Sequence, residues 1–327
     1  MAKKDVVLQV KDLTLAYMTP RGALRAVDHV AVDVYSGEVL GIVGESGCGK
    51  SSLAFALIKL LPSSARIESG QIFYGGKDII SGMDGPSLRK FRWQEISMVF
   101  QSALNTLNPV MRIGEQIQDV VQAHLRLSQA EIYDKAARLL EWVYLNPTRV
   151  WRAYPHELSG GMRQRVAIAL SLILDPKVVV LDEPTTALDV ISQEIILRIL
   201  TRIHREMNIS MIFITHDLSL VARVAERVAV MYAGKIVEIG TSEEVFYSPR
   251  HPYTMGLLKA IPSTVGDLRK LEPIPGSLPD LIEPPPGCRF RPRCNFATKA
   301  CKKGEPELIR INESHQIACF NWKGAGR

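Results

Sequence analysis

Residues 39–51 read Val39-Leu40-Gly41-Ile42-Val43-Gly44-Glu45-Ser46-Gly47-Cys48-Gly49-Lys50-Ser51, an apolar run leading into the pattern G-x-x-x-x-G-K-[ST]. The run predicts a buried strand and the glycine-rich stretch a phosphate-binding loop. Successive backbone N–H groups turn inward as an anion nest, Lys50 reaches the outer phosphates, and the Ser51 hydroxyl suits Mg²⁺. A helix from Lys50 to about Leu61 then points its positive end at the phosphates. An eight-residue pattern alone arises by chance in glycine-rich loops. The strand before it and the helix after it are the context that makes this a site for a nucleoside triphosphate.

The 327 residues suggest about two domains, and the 46% hydrophobic and 23% charged content is that of a globular protein. The longest apolar run, Val166 to Leu174, is half of what a bilayer crossing needs and contains Ser171, so no membrane span is expected. The beginning Met1-Ala2-Lys3-Lys4-Asp5 shows no secretory apolar region, which predicts cytoplasmic residence. A net charge of +6 permits contact with nucleic acid or an anionic membrane surface, but over this length it reads more readily as a mildly basic solvated surface with some charge set aside for nucleotide phosphates.

β-type runs crowd the first quarter: Val6 to Val10, Leu13 to Tyr17, Ala31 to Val34, Val39 to Val43 and Ile72 to Tyr74. From Ile113 to Met207 the texture is helical, with i, i+3, i+4 spacing over Ile113 to His124, Gln129 to Val143, Ser159 to Leu174 and Val190 to Met207. Val178 to Leu181, Met211 to Thr215 and Arg227 to Met231 read as fully buried parallel strands. Beyond Ser248 proline becomes frequent, culminating in Pro284-Pro285-Pro286, so regular structure should thin out and a boundary fall near 245–262.

A phosphate loop alone admits kinases, GTPases, helicases and transport ATPases. The strand Val178 to Leu181 ends in Asp182-Glu183, and buried strands of an α/β sheet place such residues at the ligand-facing end. There Asp182 can hold Mg²⁺, directly or through water, and Glu183 can polarise the water attacking the γ-phosphate. His216, after the strand Ile212 to Thr215, suits a hydrogen bond to that phosphate, although a lone histidine is more often structural. Gln101, after Ile96 to Phe100, has an amide fit to sense Mg²⁺ and the attacking water. Leu158-Ser159-Gly160-Gly161-Met162 opens an amphipathic helix, with Ser159 as cap and hydroxyl donor at a second anion-binding N-terminus.

In this order the motifs resemble the ATP-binding cassette ATPases. The phosphate loop, Gln101, the signature Ser159, Gly160, Gly161 and Met162, the strand ending in Asp182, catalytic Glu183, the D-loop Ala187-Leu188-Asp189 and switch His216 all stand in family sequence. The resemblance implies a RecA-like parallel-sheet core, an antiparallel β subdomain, a helical subdomain at about 105–175, and nucleotide contacts from Gly44 through Ser51 and Ser52. Mg²⁺ is implied at Ser51 and Gln101, and Tyr17 maps to the aromatic that stacks on adenine. It further implies a head-to-tail dimer in which Ser159 and Gly160 of one subunit close over ATP held by the other, with motion carried to membrane partners near Gln101 and residues 102–125.

Closer resemblance is to the ATPase subunits of oligopeptide and dipeptide importers, carried by Leu107-Asn108-Pro109, Tyr154-Pro155-His156-Glu157 before the signature, and His251-Pro252-Tyr253-Thr254. The Gly-Gly-Met-Arg-Gln form, with Met162 where many cassettes have Gln, resembles the first of the two non-identical ATPases of that group. It implies a heterodimer with a sister ATPase, two transmembrane permease subunits and an extracellular solute-binding protein, at the cytoplasmic face of the membrane. Peptide is the first solute implied, with oligosaccharide or nickel as alternatives. The organisation expected is a cassette over 1–250 and a Pro-rich extension over 251–327.

That extension holds Cys288, Cys294, Cys301 and Cys319, spaced C-x5-C-x6-C-x17-C. Four thiols in so short a Pro-rich stretch read as metal ligands, and soft thiolates suit Zn²⁺ or an iron–sulfur cluster. Resemblance to the importer tails, through Gly287-Cys288-Arg289-Phe290-Arg291-Pro292-Arg293-Cys294, implies a [4Fe–4S] cluster acting as a structural staple. The fifth cysteine, Cys48, reads as a packing residue of the phosphate loop. Arg289, Arg291, Arg293, Lys299, Lys302 and Lys303 read as charge compensation for the thiolates and as solubility. The rival is a soluble cassette ATPase acting on nucleic acid or ribosomes. The short stretch from Lys50 to Ser159 and the single cassette argue against it, and no nucleic-acid partner is expected.

Overall fold

A computed structural model describes residues 5–101, 106–260 and 274–324. The chain divides into two compact units, Met1–Gly82 with Ile214–Arg327, and Met83–Phe213.

The first unit opens with two long strands, β1 (Val6–Thr19) and β2 (Gly22–Tyr35), joined by a tight turn and paired antiparallel. Next come β3 (Val39–Val43), α1 (Lys50–Leu57), β4 (Ala65–Tyr74), β5 (Lys77–Asp78) and the short α2 (Ile79–Gly82), giving an antiparallel sheet ordered β2-β1-β4-β5. Where the sequence pattern suggested two separate runs, β1 is continuous. A bulge explains the difference: Asp12 has φ 49° and the register slips between Val10 and Leu13, so that Leu13, Thr14, Leu15 and Ala16 are buried in succession.

The second unit contains α3 (Gly85–Gln94), β6 (Ile96–Val99), α4 (Ile113–Gln122), α5 (Gln129–Trp142), α6 (Pro147–Arg152), α7 (Gly160–Ser171), β7 (Val178–Asp182), α8 (Val190–Met207) and the start of β8 (Ser210–Thr215), whose last two residues belong to the first unit. β6 and β7 run parallel, with Ile96 opposite Val178 and Val99 opposite Leu181, and β8 follows on the other side of β7. Helices α4 to α7 pack through the apolar faces seen in the sequence, including Ile117, Val121, Ile132, Leu140 and Val150. α4 and α6 meet closely: a Cβ on Gly114 would stand 2.5 Å from the Trp151 ring, so only glycine fits. Ser128, Asn146, Ser159 and Asp189 cap the first N–H groups of α5, α6, α7 and α8, Ser128 together with Glu131 in a reciprocal box.

Back in the first unit, α9 (Leu218–Val224), β9 (Arg227–Tyr232), β10 (Lys235–Thr241), α10 (Ser242–Tyr247), α11 (Pro252–Lys259), α12 (Ala300–Lys303), β11 (Ile309–Arg310) and β12 (Gln316–Ile317) complete the chain. β9 is parallel to β3, with Val43 opposite Val230, and β10, β12 and β11 then add antiparallel in that order. Three buried charges tie the C-terminal residues to the rest of this unit, as burial without partners would be costly. Glu238 is fully buried and accepts hydrogen bonds from Arg250 N (2.7 Å), His251 N (3.0 Å) and His315 Nε2 (2.8 Å). Arg289 donates to the Ala233 carbonyl and pairs with buried Asp28. Arg293 bonds Glu45. Among the described residues no helix is long and apolar enough to cross a membrane.

Candidate functional site

β3 is buried throughout, and the chain leaves it at Gly44 into a loop that requires glycine at two positions. Gly44 has φ 154° and a Cβ there would lie 2.1 Å from the Met231 carbonyl oxygen; Gly49 has φ 110° and a Cβ would meet the Ala26 oxygen at 2.0 Å. These close approaches pin the loop against β9 and β2. Lys50 is only 4% exposed at the start of α1, and its Nζ donates to the carbonyls of Gly44 (2.8 Å) and Glu45 (3.0 Å). The loop therefore carries a buried, pre-positioned ammonium beside a helix N-terminus, the arrangement an anion requires. Cys48 is fully buried and burial raises its thiol pKa, with Lys50 opposing; it packs, as expected from the sequence. Its carbonyl accepts from Gly234 N, another tie to the strand turn between β9 and β10.

Ser51 and Ser52 form the first turn of α1, and Ser52 Oγ lies 3.2 Å from the hydroxyl of half-buried Tyr17. Tyr17 thus borders the helix that follows the loop. His216 follows the buried end of β8 and is exposed.

In the second unit the carboxylates stand at the end of β7. Asp182 is 1% exposed, and Glu183 turns out of the strand with φ 48°, a left-handed conformation that costs of order 1 kcal/mol. Its carboxylate is held: Oε2 accepts from Gln101 Nε2 at 3.0 Å and from Thr186 Oγ1 at 2.8 Å. Gln101 and Glu183, 82 positions apart, are therefore direct partners. Residues 102–105, part of the segment expected to carry motion to membrane partners, lie outside the described residues.

Ser159 caps α7, its Oγ accepting from Met162 N at 3.3 Å. Asp189 caps α8 in the same way, accepting from Ser192 N (2.9 Å) and Ser192 Oγ (2.7 Å), and the Ser192 backbone bond heads the causes that lower its pKa. The two caps are neighbours, because a Cβ on Gly161 would come within 2.8 Å of Ser192 Oγ. The signature glycine is thus small for a packing reason as well as for its place at a helix start.

Cys288, Cys294, Cys301 and Cys319 line one cavity with His251, Phe290 and Phe320. Burial is the first cause raising the pKa of Cys288, Cys294 and Cys319, that of Cys319 to about 11, and the negative charge of neighbouring thiolates adds to it. Among the described residues, however, no group of three or more His, Cys, Asp or Glu is disposed to hold a metal ion, so the metal centre expected from the four clustered thiols finds no ligating group there. The basic residues around the thiols also behave differently from the solvated set expected. Arg289 and Arg293 are 8% and 9% exposed and point inward to Asp28 and Glu45. Nothing in the local sequence announces those partners, which lie 261 and 248 positions away.

Residues 27–186 match the family model for ABC transporters, and residues 237–301 match that for the oligopeptide/dipeptide transporter C-terminal region. The chain is 44% identical to the dipeptide transport ATP-binding protein DppD of Caldanaerobacter subterraneus, covering 96% of this chain and 97% of that one. It is also 44% identical to the oligopeptide transport ATP-binding protein OppD of Escherichia coli, with 97% and 93% covered. Among solved structures, the dimeric ATP-binding cassette MJ0796 bound to ADP and Pi superposes with a TM-score of 0.65 at 27% identity, over 72% of this chain and 98% of that one. The cassette cbiO1 of Clostridium perfringens gives 0.64 at 29%, over 75% and 92%. At 44% identity over nearly the whole length of both chains, and with the cassette family model matching residues 27–186, the chain belongs to the ABC transporter ATPases.

Proposed function

We propose that this chain is the ATP-hydrolysing subunit of an ABC importer that carries peptides into the cell. The observation that carries the reading is near-full-length similarity to dipeptide and oligopeptide transport ATP-binding proteins, C-terminal region included. Its partners are a second ATPase and membrane permease subunits, and the chain works peripherally at the cytoplasmic face. The Gly-Gly-Met-Arg-Gln signature favours a non-identical sister ATPase over a homodimer, and a solute-binding protein outside the membrane completes the assembly.

The residues divide the labour as follows. Gly44 through Gly49 offer backbone N–H groups, Lys50 neutralises the outer phosphates, and Tyr17 supports the base. Mg²⁺, when bound with ATP, offsets the charge that develops on the phosphates; Ser51, Asp182 and the Gln101 carbonyl supply oxygen donors of the kind it prefers. Because Gln101 spends its amide nitrogen on Glu183, its carbonyl oxygen is the atom it can offer a cation. Glu183 acts as general base toward the attacking water, His216 steadies the γ-phosphate, and Ser159 presents the N-terminus of α7 to the ATP of the partner subunit.

We further propose that Cys288, Cys294, Cys301 and Cys319 hold a [4Fe–4S] cluster, with Zn²⁺ the alternative, as a staple for the C-terminal region. Their shared cavity supports this, and the absence of a ligating trio among the described residues counts against it. Iron, acid-labile sulfide and zinc measured on anaerobically purified protein decide between the two metals, and the absence of all three removes the proposal.

The functional reading is tested by mild-detergent affinity purification from native membranes. Two polytopic proteins, a sister ATPase and a solute-binding protein are expected; ribosomal proteins or nucleic acid would overturn it. In the same complex Glu183→Gln should cut ATP turnover by about 10²–10⁴-fold while ATP still binds, the range for losing a general base. Retention of most turnover would remove Glu183 from that role.

A further inference from the structure

Glu45 is the second residue of the phosphate loop, and two groups from the far end of the chain grip it. The guanidinium of Arg293 forms a fork on its carboxylate, Nη1 to Oε2 at 2.8 Å and Nη2 to Oε1 at 2.9 Å. The backbone N–H of Glu45 donates to the hydroxyl of Tyr253 at 2.9 Å. Neither partner is free to wander. Arg293 is nine-tenths buried, its Nε donates to the Pro275 carbonyl at 2.7 Å, and its guanidinium lies over the Tyr232 ring. Tyr253 is fully buried in a cluster with Tyr232 and Phe290, ring centroids 4.6 and 5.4 Å away.

A carboxylate inside a loop that must receive a polyanion is a liability. Unpaired, it repels the incoming phosphates and swings freely. Held by a fixed guanidinium, its charge is cancelled and its backbone is locked in place. Only arginine supplies two parallel donors in one plane; a lysine at the same position would supply charge without the fork. Arg293 itself stands in the turn Arg291–Arg293 directly before Cys294, and the Cys294 backbone N–H closes that turn on the Arg291 carbonyl. The cysteine-bearing turn therefore ends on the phosphate loop.

We infer that Arg293 is a positioning residue for nucleotide binding, which neutralises and fixes Glu45 so that the phosphate loop is pre-formed, and thereby makes the C-terminal cysteine region part of the support of the nucleotide site. The inference rests on the reading of residues 44–51 as the ATP site.

The test is equilibrium binding of a fluorescent N-methylanthraniloyl ATP with Mg²⁺ to the purified full chain. Arg293→Gln should weaken binding by about tenfold or more, the size of one charge-assisted bidentate pair. Arg293→Lys, which keeps charge and most of the volume, should recover only part of the loss. Glu45→Gln combined with Arg293→Gln should bind more tightly than Arg293→Gln alone, because the unpaired carboxylate is gone; a role confined to holding the fold together would show no such recovery. In steady-state ATPase assays of the assembled complex, Arg293→Gln should raise KM for ATP while kcat stays within about twofold. Binding by Arg293→Gln within twofold of the unaltered chain, or no recovery in the double variant, overturns the inference. Should Arg293→Gln fail to fold, Arg293→Lys decides the matter: about three- to tenfold weaker binding upholds the fork, and unchanged binding removes it. Failure of the unaltered chain to bind the nucleotide, or undiminished binding by Lys50→Ala, would instead overturn the reading of the ATP site itself.

Discussion

Replacing Glu238 by Gln exchanges one carboxylate oxygen for an NH₂ in a fully buried place and should cost this fold a large part of its margin. The carboxylate serves three donors: Arg250 N and His315 Nε2 on Oε1, and His251 N on Oε2. Glutamine keeps one acceptor. If its oxygen takes the place of Oε1, the new NH₂ faces the His251 N–H, donor against donor. That leaves a buried backbone N–H unsatisfied, at about 1–3 kcal/mol, and the two remaining bonds lose their ionic acceptor at about 1 kcal/mol each. The sum, about 3–5 kcal/mol, corresponds to a fall in Tm of about 6–10 °C at about 2 °C per kcal/mol for a large domain. Thermal unfolding followed by far-UV circular dichroism, with the unaltered chain in parallel, gives the number. A fall of less than about 2 °C would show that the three bonds are replaced by water or by local rearrangement, and that the C-terminal residues are not held through this carboxylate.

Two other outcomes follow from the same geometry. Gly44→Ala should weaken ATP binding by more than about tenfold, since the new methyl would sit 2.1 Å from the Met231 carbonyl and force the loop away from β9; isothermal titration with ATP checks it, and unchanged affinity would mean the loop relaxes without penalty. His251 is buried with its Nδ1 accepting from Tyr253 N, and burial depresses its pKa from 6.5 to about 4, with Glu238 opposing. Between those values the unfolded chain binds a proton that the folded one refuses, so stability is present above pH 6.5 and is lost as pH falls toward 4, by up to about 1.4 kcal/mol per unit. Urea midpoints at pH 7, 6 and 5 should show that slope, and His251→Asn should flatten it; equal slopes in the two proteins would remove His251 as its source.

The phosphate loop, the strand ending in Asp182, the capped helix after Ser159 and the helix Val190–Met207 were legible because each is a local pattern, a fixed spacing of residue types over fewer than twenty positions. The bulge at Asp12 was not, since it interrupts the period of two on which strand reading depends. The helices α10 and α11 escaped notice for want of length, six and eight residues with proline nearby. The pairs Arg293 with Glu45, Arg289 with Asp28 and His315 with Glu238 were beyond reach for another reason. A charged residue in a basic, proline-rich stretch looks the same whether it faces water or a buried carboxylate, and only the folded chain tells which.

The short hairpin of β11 and β12 has a consequence for how copies of this chain treat one another. β10 is buried along five of its seven residues, and its outer row of backbone groups would serve as a template for any passing strand. β12 occupies that row at Glu238 and Ile239, and beyond it β11 presents only two exposed residues, one of them Arg310. The sheet is thereby brought to a halt by its own chain, on a margin too short and too charged to recruit a neighbour. β11 and β12 thus act as a terminator of sheet growth at this edge, so that copies of this chain do not zip together strand to strand along it.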